Sequence, residues 1–132
     1  MTHMATGTLT QERSALSVTA AAQVIGVSPH TLRYYEQQGL VRPARNASGH
    51  REYGEADLRR LVFLTRMRLS GMTMRDLTRY IALVEEGAST VPDRRQIMHA
   101  QRDRLTRRIR ELTLALETTE YKLRVYDGHP EG

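Results

Sequence analysis

Cysteine is absent from this 132-residue sequence. Disulfides, zinc–thiolate centres, iron–sulfur clusters and thiol-based redox sensing are excluded with it. No stretch approaches the roughly 20 consecutive apolar residues that a membrane-spanning helix needs. The first 15 residues, with Thr10, Gln11, Glu12 and Arg13 among them, contain no apolar core of signal-peptide type. The expected location is therefore the cytoplasm. The residue sets of common enzymes are missing too. There is no Gly-rich phosphate loop and no nucleophile motif, and His3, His30, His50, His99 and His129 are scattered without the helical spacing of metal ligands. The expectation is a protein with no catalytic residues, no metal and no cofactor.

Lysine is almost absent: of the 20 basic residues only Lys122 is lysine. Arginine's planar fork suits phosphate and guanine, although an arginine-rich genome gives the same bias. The net charge of +5 favours polyanionic partners such as nucleic acid. The length fits one small domain plus an extension.

Residues 1–16 lack periodicity and read as a flexible tail. Thr19 is placed to cap a short helix over 20–25, which Gly26 ends. Ser28 then caps a second helix, with Pro29 at its first position and Gly39 at its end. Two short helices joined by a tight glycine-containing turn form a helix-turn-helix. Pro43 forbids further helix, and Asn46 with Gly49 marks a turn. The flanks, Leu40-Val41-Arg42 and His50-Arg51-Glu52-Tyr53, are expected to pair as a basic β-wing; the alternative is a solvated loop. A helix over 55–69 follows and Gly71 breaks it. Thr73-Met74-Arg75-Asp76 is a capping box that opens another helix, closing at Gly87. Met67, Met72 and Met74 are expected in the core.

Pro92 starts the longest helix, expected to reach Tyr126. Along it Leu105, Ile109, Leu112, Leu116, Thr119, Leu123 and Tyr126 repeat at alternating spacings of four and three, a heptad seam. A helix of about 50 Å projects beyond a small domain, and too little chain remains to cover its seam. The expectation is a homodimer; the rival arrangement packs the seam on the chain's own helices.

Gly26-Val27-Ser28, Leu32-Arg33-Tyr34-Tyr35-Glu36, Gly39-Leu40, Pro43, Gly49-x-Arg51-x-Tyr53, Asp57-Leu58 and Gly71 before Thr73 carry a resemblance to the MerR family of winged helix-turn-helix transcription regulators. LETTEYKLRVYD is weakly similar to the end of the long helix in the aldehyde-response subgroup, whose cysteine is lacking here. The sequence departs from the family at His50, usually aromatic, and at Gln23, often lysine.

The resemblance implies a mainly α fold: a winged helix-turn-helix domain over 17–87, an antiparallel dimerisation coiled coil over 88–127, and a tail over 128–132. It implies binding to a pseudo-palindromic operator in promoter DNA whose polymerase-recognition elements are spaced too far apart. An effector makes the dimer bend and untwist that DNA, so that RNA polymerase engages both elements. Arg33 and Tyr34 would face the major groove, with Thr31 beside them. Tyr35 is left open between a DNA contact and the core. Glu36, which would repel phosphate, is read as a partner for an arginine within the domain. In the wing, Arg42, Arg45, His50 and Arg51 are candidates to grip the backbone, Arg51 matching the family motif and Arg45 being otherwise solvated. Arg66 and Arg68 satisfy helix-end carbonyls or reach phosphate. Without cysteine, any effector is recognised by non-covalent contacts or by nitrogen and oxygen ligands; the expectation is a small organic molecule, placed between the Tyr80 helix and the start of the long helix near His99. Two alternatives stand beside this reading: a ligand-independent repressor or nucleoid-type binder, and a small-molecule sequestering protein with a vestigial DNA surface.

Overall fold

The computed structural model describes residues 15–128. The tails expected over 1–16 and 128–132 fall largely outside it, as do His3 and His129. The elements in order are α1 (Val18–Ile25), α2 (Pro29–Gln37), β1 (Ala44–Arg45), β2 (Arg51–Glu52), α3 (Glu55–Leu69), α4 (Met74–Glu86), a 3₁₀ turn (Ala88–Thr90) and α5 (Val91–Gly128). The chain divides into two units, up to Glu85 and from Glu86 onward.

In the first unit the helix-turn-helix forms as its punctuation dictates, one cap excepted. The cap of α1 is Ser17, whose Oγ accepts from the Ala20 amide at 3.1 Å, and not Thr19. The reason lies upstream: Leu16 exchanges two backbone hydrogen bonds with Tyr53, at 2.9 and 2.7 Å. Leu16 is thereby part of the fold and not of a tail, and it delivers Ser17 in the extended conformation a cap requires. Gly26 closes α1 at φ 89°, a left-handed value that side chains rarely adopt. Ser28 caps α2, accepting from the Thr31 amide at 3.1 Å, with Pro29 in the first turn.

The wing is shorter than expected. Ala44 pairs with Glu52 and Arg45 with Arg51. Leu40 and Val41, expected in the first strand, are 1% exposed and belong to the core. Burial of two apolar side chains outweighs two ladder bonds, and Pro43 has no N–H to donate. The wing turn is held by Asn46, whose side chain accepts from the amides of Ser48 and His50.

Asp57 caps α3 by accepting from the Gly54 amide at 3.0 Å, and Thr73 Oγ1 caps α4 by accepting from the Asp76 amide at 3.1 Å. The core collects Ala21 and Ala22 from α1, Leu32 and Tyr35 from α2, Leu61 and Leu64 from α3, and Leu77 and Ile81 from α4, with Leu40, Val41, Tyr53 and Met72 from the connections. Met67 and Met74 are half-buried beside this core.

One carboxylate joins two helices of this unit to the connection before the wing. Glu85 accepts from Arg42 at 2.5 Å and from Arg60 at 3.2 Å. The Arg42 hydrogen bond holds the Glu85 carboxyl below its ordinary range. A depressed carboxylate stabilises the fold above its unfolded pKa, and that contribution disappears as pH falls through the folded value. The stability gap between wild type and Glu85→Gln should therefore be small at pH 7, since the pair is partly solvated, and should vanish at acid pH. Denaturant midpoints on either side of the carboxylate range measure this; an unchanged gap refutes it.

The second unit is the 3₁₀ turn and α5. The Gly87 carbonyl accepts from the Thr90 amide and hydroxyl and from Arg94, at 3.1, 2.8 and 3.0 Å. From there α5 runs 38 residues, about 57 Å. Within the single chain Ile109, Leu112, Leu116 and Leu123 of the seam are 57–63% exposed, while Leu105 is half-buried. Thr119 returns its hydroxyl to the Ala115 carbonyl at 2.8 Å, which removes a polar group from the seam.

Candidate nucleic-acid interface

Helix phase decides what α2 offers to a partner. Leu32 is fully buried and Tyr35 is 5% exposed, so these two, three residues apart, fix the inward face. Arg33 and Tyr34 are consequently exposed. Arg33 makes no ion pair among the described residues. Thr31 is half-buried at the N-terminal end, its hydroxyl 3.1 Å from that of Ser28. The polar group of α2 thus stands at the helix's first turns, where a recognition helix meets base edges.

The choice left open for Tyr35 resolves toward the core. Burial pushes its phenol pKa up, against a smaller opposing effect of the Arg68 cation. The ring lies 6.3 Å from that of Tyr34 and cannot present itself to DNA beside it without leaving the core.

Glu36 finds the arginine expected of it, and that arginine is Arg51. Nε of Arg51 donates to Glu36 Oε1, a bond between recognition helix and wing. Arg51, expected in the wing as a backbone contact because it matches the family motif, is half-buried here and braces the wing against α2. Tyr53 is fully buried in the same region; burial raises its pKa, and the Glu36 charge adds to the shift.

Arg42 is exposed but spends its guanidinium on Glu85, over Gly39 at the far end of α2. Arg45 is exposed and donates to the Gly49 carbonyl at 2.8 Å, which tightens the turn it would present. His50 is exposed at the wing's tip. Arg68 donates to the Met72 carbonyl at 2.7 Å, past the end of α3 and not to a carbonyl of the helix itself, and both Arg66 and Arg68 are exposed.

The sequence reading missed one feature. Ser17 and Val18, at the N-terminus of α1, line a cleft of about 400 Å3 with Arg45, Gly49, His50 and Arg51. The free amides of a helix start and three basic side chains of the wing converge there. Ser17 before an apolar helix was the legible signal; the pairing of Leu16 with Tyr53, which brings it to the wing, was not.

Tyr80 packs its ring on Phe63 at 5.2 Å in the first unit, and His99 is exposed in the second. No group of three His, Asp or Glu able to hold a metal occurs among the described residues. No helix among them is long and apolar enough to cross a membrane.

A four-helix core, a solvent-facing recognition helix and a basic wing define a winged helix-turn-helix DNA-binding module. The MerR HTH family regulatory protein model matches residues 16–83, and the MerR DNA-binding model matches residues 58–118. HTH-type transcriptional regulator HmrR of Rhizobium leguminosarum bv. viciae is 32% identical over 86% of this chain and 88% of its own length. A putative MerR family regulator from Listeria monocytogenes superposes with a TM-score of 0.80 at 38% identity, covering 87% of this chain and 88% of that one. HiNmlR, a MerR family regulator lacking the sensor domain and bound to promoter DNA, gives a TM-score of 0.80 at 30% identity over 89% and 94%. The chain belongs to the MerR family and is a DNA-binding transcription regulator.

Proposed function

We propose that this regulator acts as a homodimer on a pseudo-palindromic promoter operator, distorting the DNA to control RNA polymerase, without catalysing a reaction, in the cytoplasm. The observation that carries this reading is the seam of α5, apolar at heptad spacing yet exposed in the single chain. Charge gives the pairing a direction. Residues 94–110 hold seven arginines against Asp103 alone, whereas residues 111–127 hold four carboxylates against Lys122 and Arg124. Antiparallel pairing sets the basic half of one helix against the acidic half of the other; parallel pairing sets arginine on arginine. The domain division supporting this is a DNA-binding unit over 17–87 and a dimerisation helix over 88–127.

On each protomer, Arg33 and Tyr34 read the major groove, with Thr31 at the helix end. His50 and Arg45 flank a backbone phosphate seated against the start of α1, where free amides favour an anion. Distortion of the DNA costs several kcal/mol by elastic estimates and is offset by contacts at both heads. An organic effector recognised without a thiol completes the reading.

Arg33→Ala should weaken operator binding by about 1–3 kcal/mol and relax specificity at one base position. Fluorescence anisotropy across single-base operator variants checks this. A uniform loss with a shallower salt dependence reassigns Arg33 to phosphate, and an unchanged affinity refutes the interface.

A further inference from the structure

One face of α3 carries a cleft that shares no residue with the DNA contacts proposed above. It measures about 470 Å3, within the range of small-molecule sites. Its lining residues are Arg59, Val62, Phe63, Arg66 and Met67. These stand at i, i+3, i+4, i+7 and i+8, so a single helical face builds it. Val62, Phe63 and Met67 are half-buried and form an apolar floor. Tyr80 of α4 backs that floor, its ring tilted 30° against Phe63. The opposite face of α3 is pinned in the core by Leu61 and Leu64, both fully buried. In the single chain the floor is therefore held from behind and open in front.

The rim carries two cations. Arg59 and Arg66 are separated by two turns, about 10 Å along the axis. Among the described residues Arg59 pairs with Glu55 alone, at 3.5 Å, with both side chains more than 60% exposed. Such a contact is weak and exchangeable. Arg66 is exposed and makes no side-chain hydrogen bond or ion pair among the described residues. An apolar floor between two solvated guanidinium groups complements one ligand chemistry. It is a molecule with an apolar body no larger than a few rings and a carboxylate that the fork of Arg66 can hold with two bonds.

We propose that this cleft binds a small amphipathic carboxylate. The apolar body lies on Phe63 and Met67, the carboxylate on Arg66, and Arg59 supplies the second positive charge. The site gives the organic effector a chemical class. Its regulatory consequence rests on the function proposed above; binding itself does not, and is measured without DNA.

The test compares 4-phenylbutyrate with 4-phenylbutyramide, the same body without the charge, on the full chain by calorimetry and by NMR. The acid should bind and the amide should bind at least ten-fold more weakly. Arg66→Gln should reduce acid binding about ten-fold, to the level of the amide, with an unchanged circular dichroism spectrum. Should that variant misfold, the acid–amide comparison on the wild type decides alone. Equal binding of acid and amide overturns the proposal, as does an Arg66→Gln chain that binds like the wild type. Binding of neither probe also overturns it. Protection of Phe63 and Met67 from hydroxyl radicals in the ligand-free protein would then assign the cleft to a second copy of the chain. A protein that ignores the acid yet binds its operator loses this site alone; one that binds the acid and no DNA loses the proposed function alone.

Discussion

Replacing Leu112 and Leu116 together with glutamate should abolish dimerisation and operator binding in one step. Both leucines sit mid-seam and are 58% and 57% exposed in the single chain. Full burial of one such side chain is worth about 1.5–3 kcal/mol, and a symmetric pair of helices buries four. The substitution removes that gain and asks the interface to desolvate four carboxylates instead. Neither leucine belongs to the core of the DNA-binding unit, so that unit keeps its fold. Operator binding fails because the second head no longer benefits from linkage to the first, an advantage of order 10² to 10⁴ in avidity. Light scattering and anisotropy measure the two losses separately. A double variant that still sediments as a dimer rules out the seam as the interface.

Leu32→Ala should be among the most damaging single changes in the DNA-binding unit. Leu32 has no exposed surface and anchors α2 from the side opposite Arg33 and Tyr34. Removing a buried leucine to alanine costs about 2–5 kcal/mol, depending on how far the cavity collapses. That is a large part of a small domain's total stability. At roughly 4–8 °C per kcal/mol for a unit of this size, the Tm should fall by at least about 8 °C. Its neighbour provides the internal control: Arg33→Ala should weaken DNA binding with little change in Tm. Calorimetry on the two variants distinguishes them, and a Leu32→Ala protein melting within about 2 °C of wild type refutes the anchoring role.

Most of the helices were legible because their ends are chemical signals. Gly26, Ser28 with Pro29, Gly71 with Thr73, and Gly87 each act through local backbone geometry that a short window contains. The seam was legible for the same reason: one period repeats over about six turns of helix. The wing was legible as a turn at Asn46 and Gly49 but not in its register. Leu40 and Val41 suit a strand and a core position equally, and pattern alone does not separate the two.

What the sequence by itself determined is the class of this protein: a thiol-free, arginine-rich helix-turn-helix with a wing and a heptad helix, each set by residues close together along the chain. Tertiary structure alone decided which of those residues are available to a partner. Tyr34 and Tyr35 are adjacent and chemically identical; the phase of α2 around Leu32 sends one outward and one inward. Arg51 and Arg42 look like free wing cations until the fold brings Glu36, 15 residues away, to one and Glu85, 43 residues away, to the other. The cleft on α3 was written in the sequence as a helical stripe, yet whether a stripe is core or surface depends on which neighbours cover it. Burial and charge pairing are decided by contacts distant in sequence, and local pattern does not encode them.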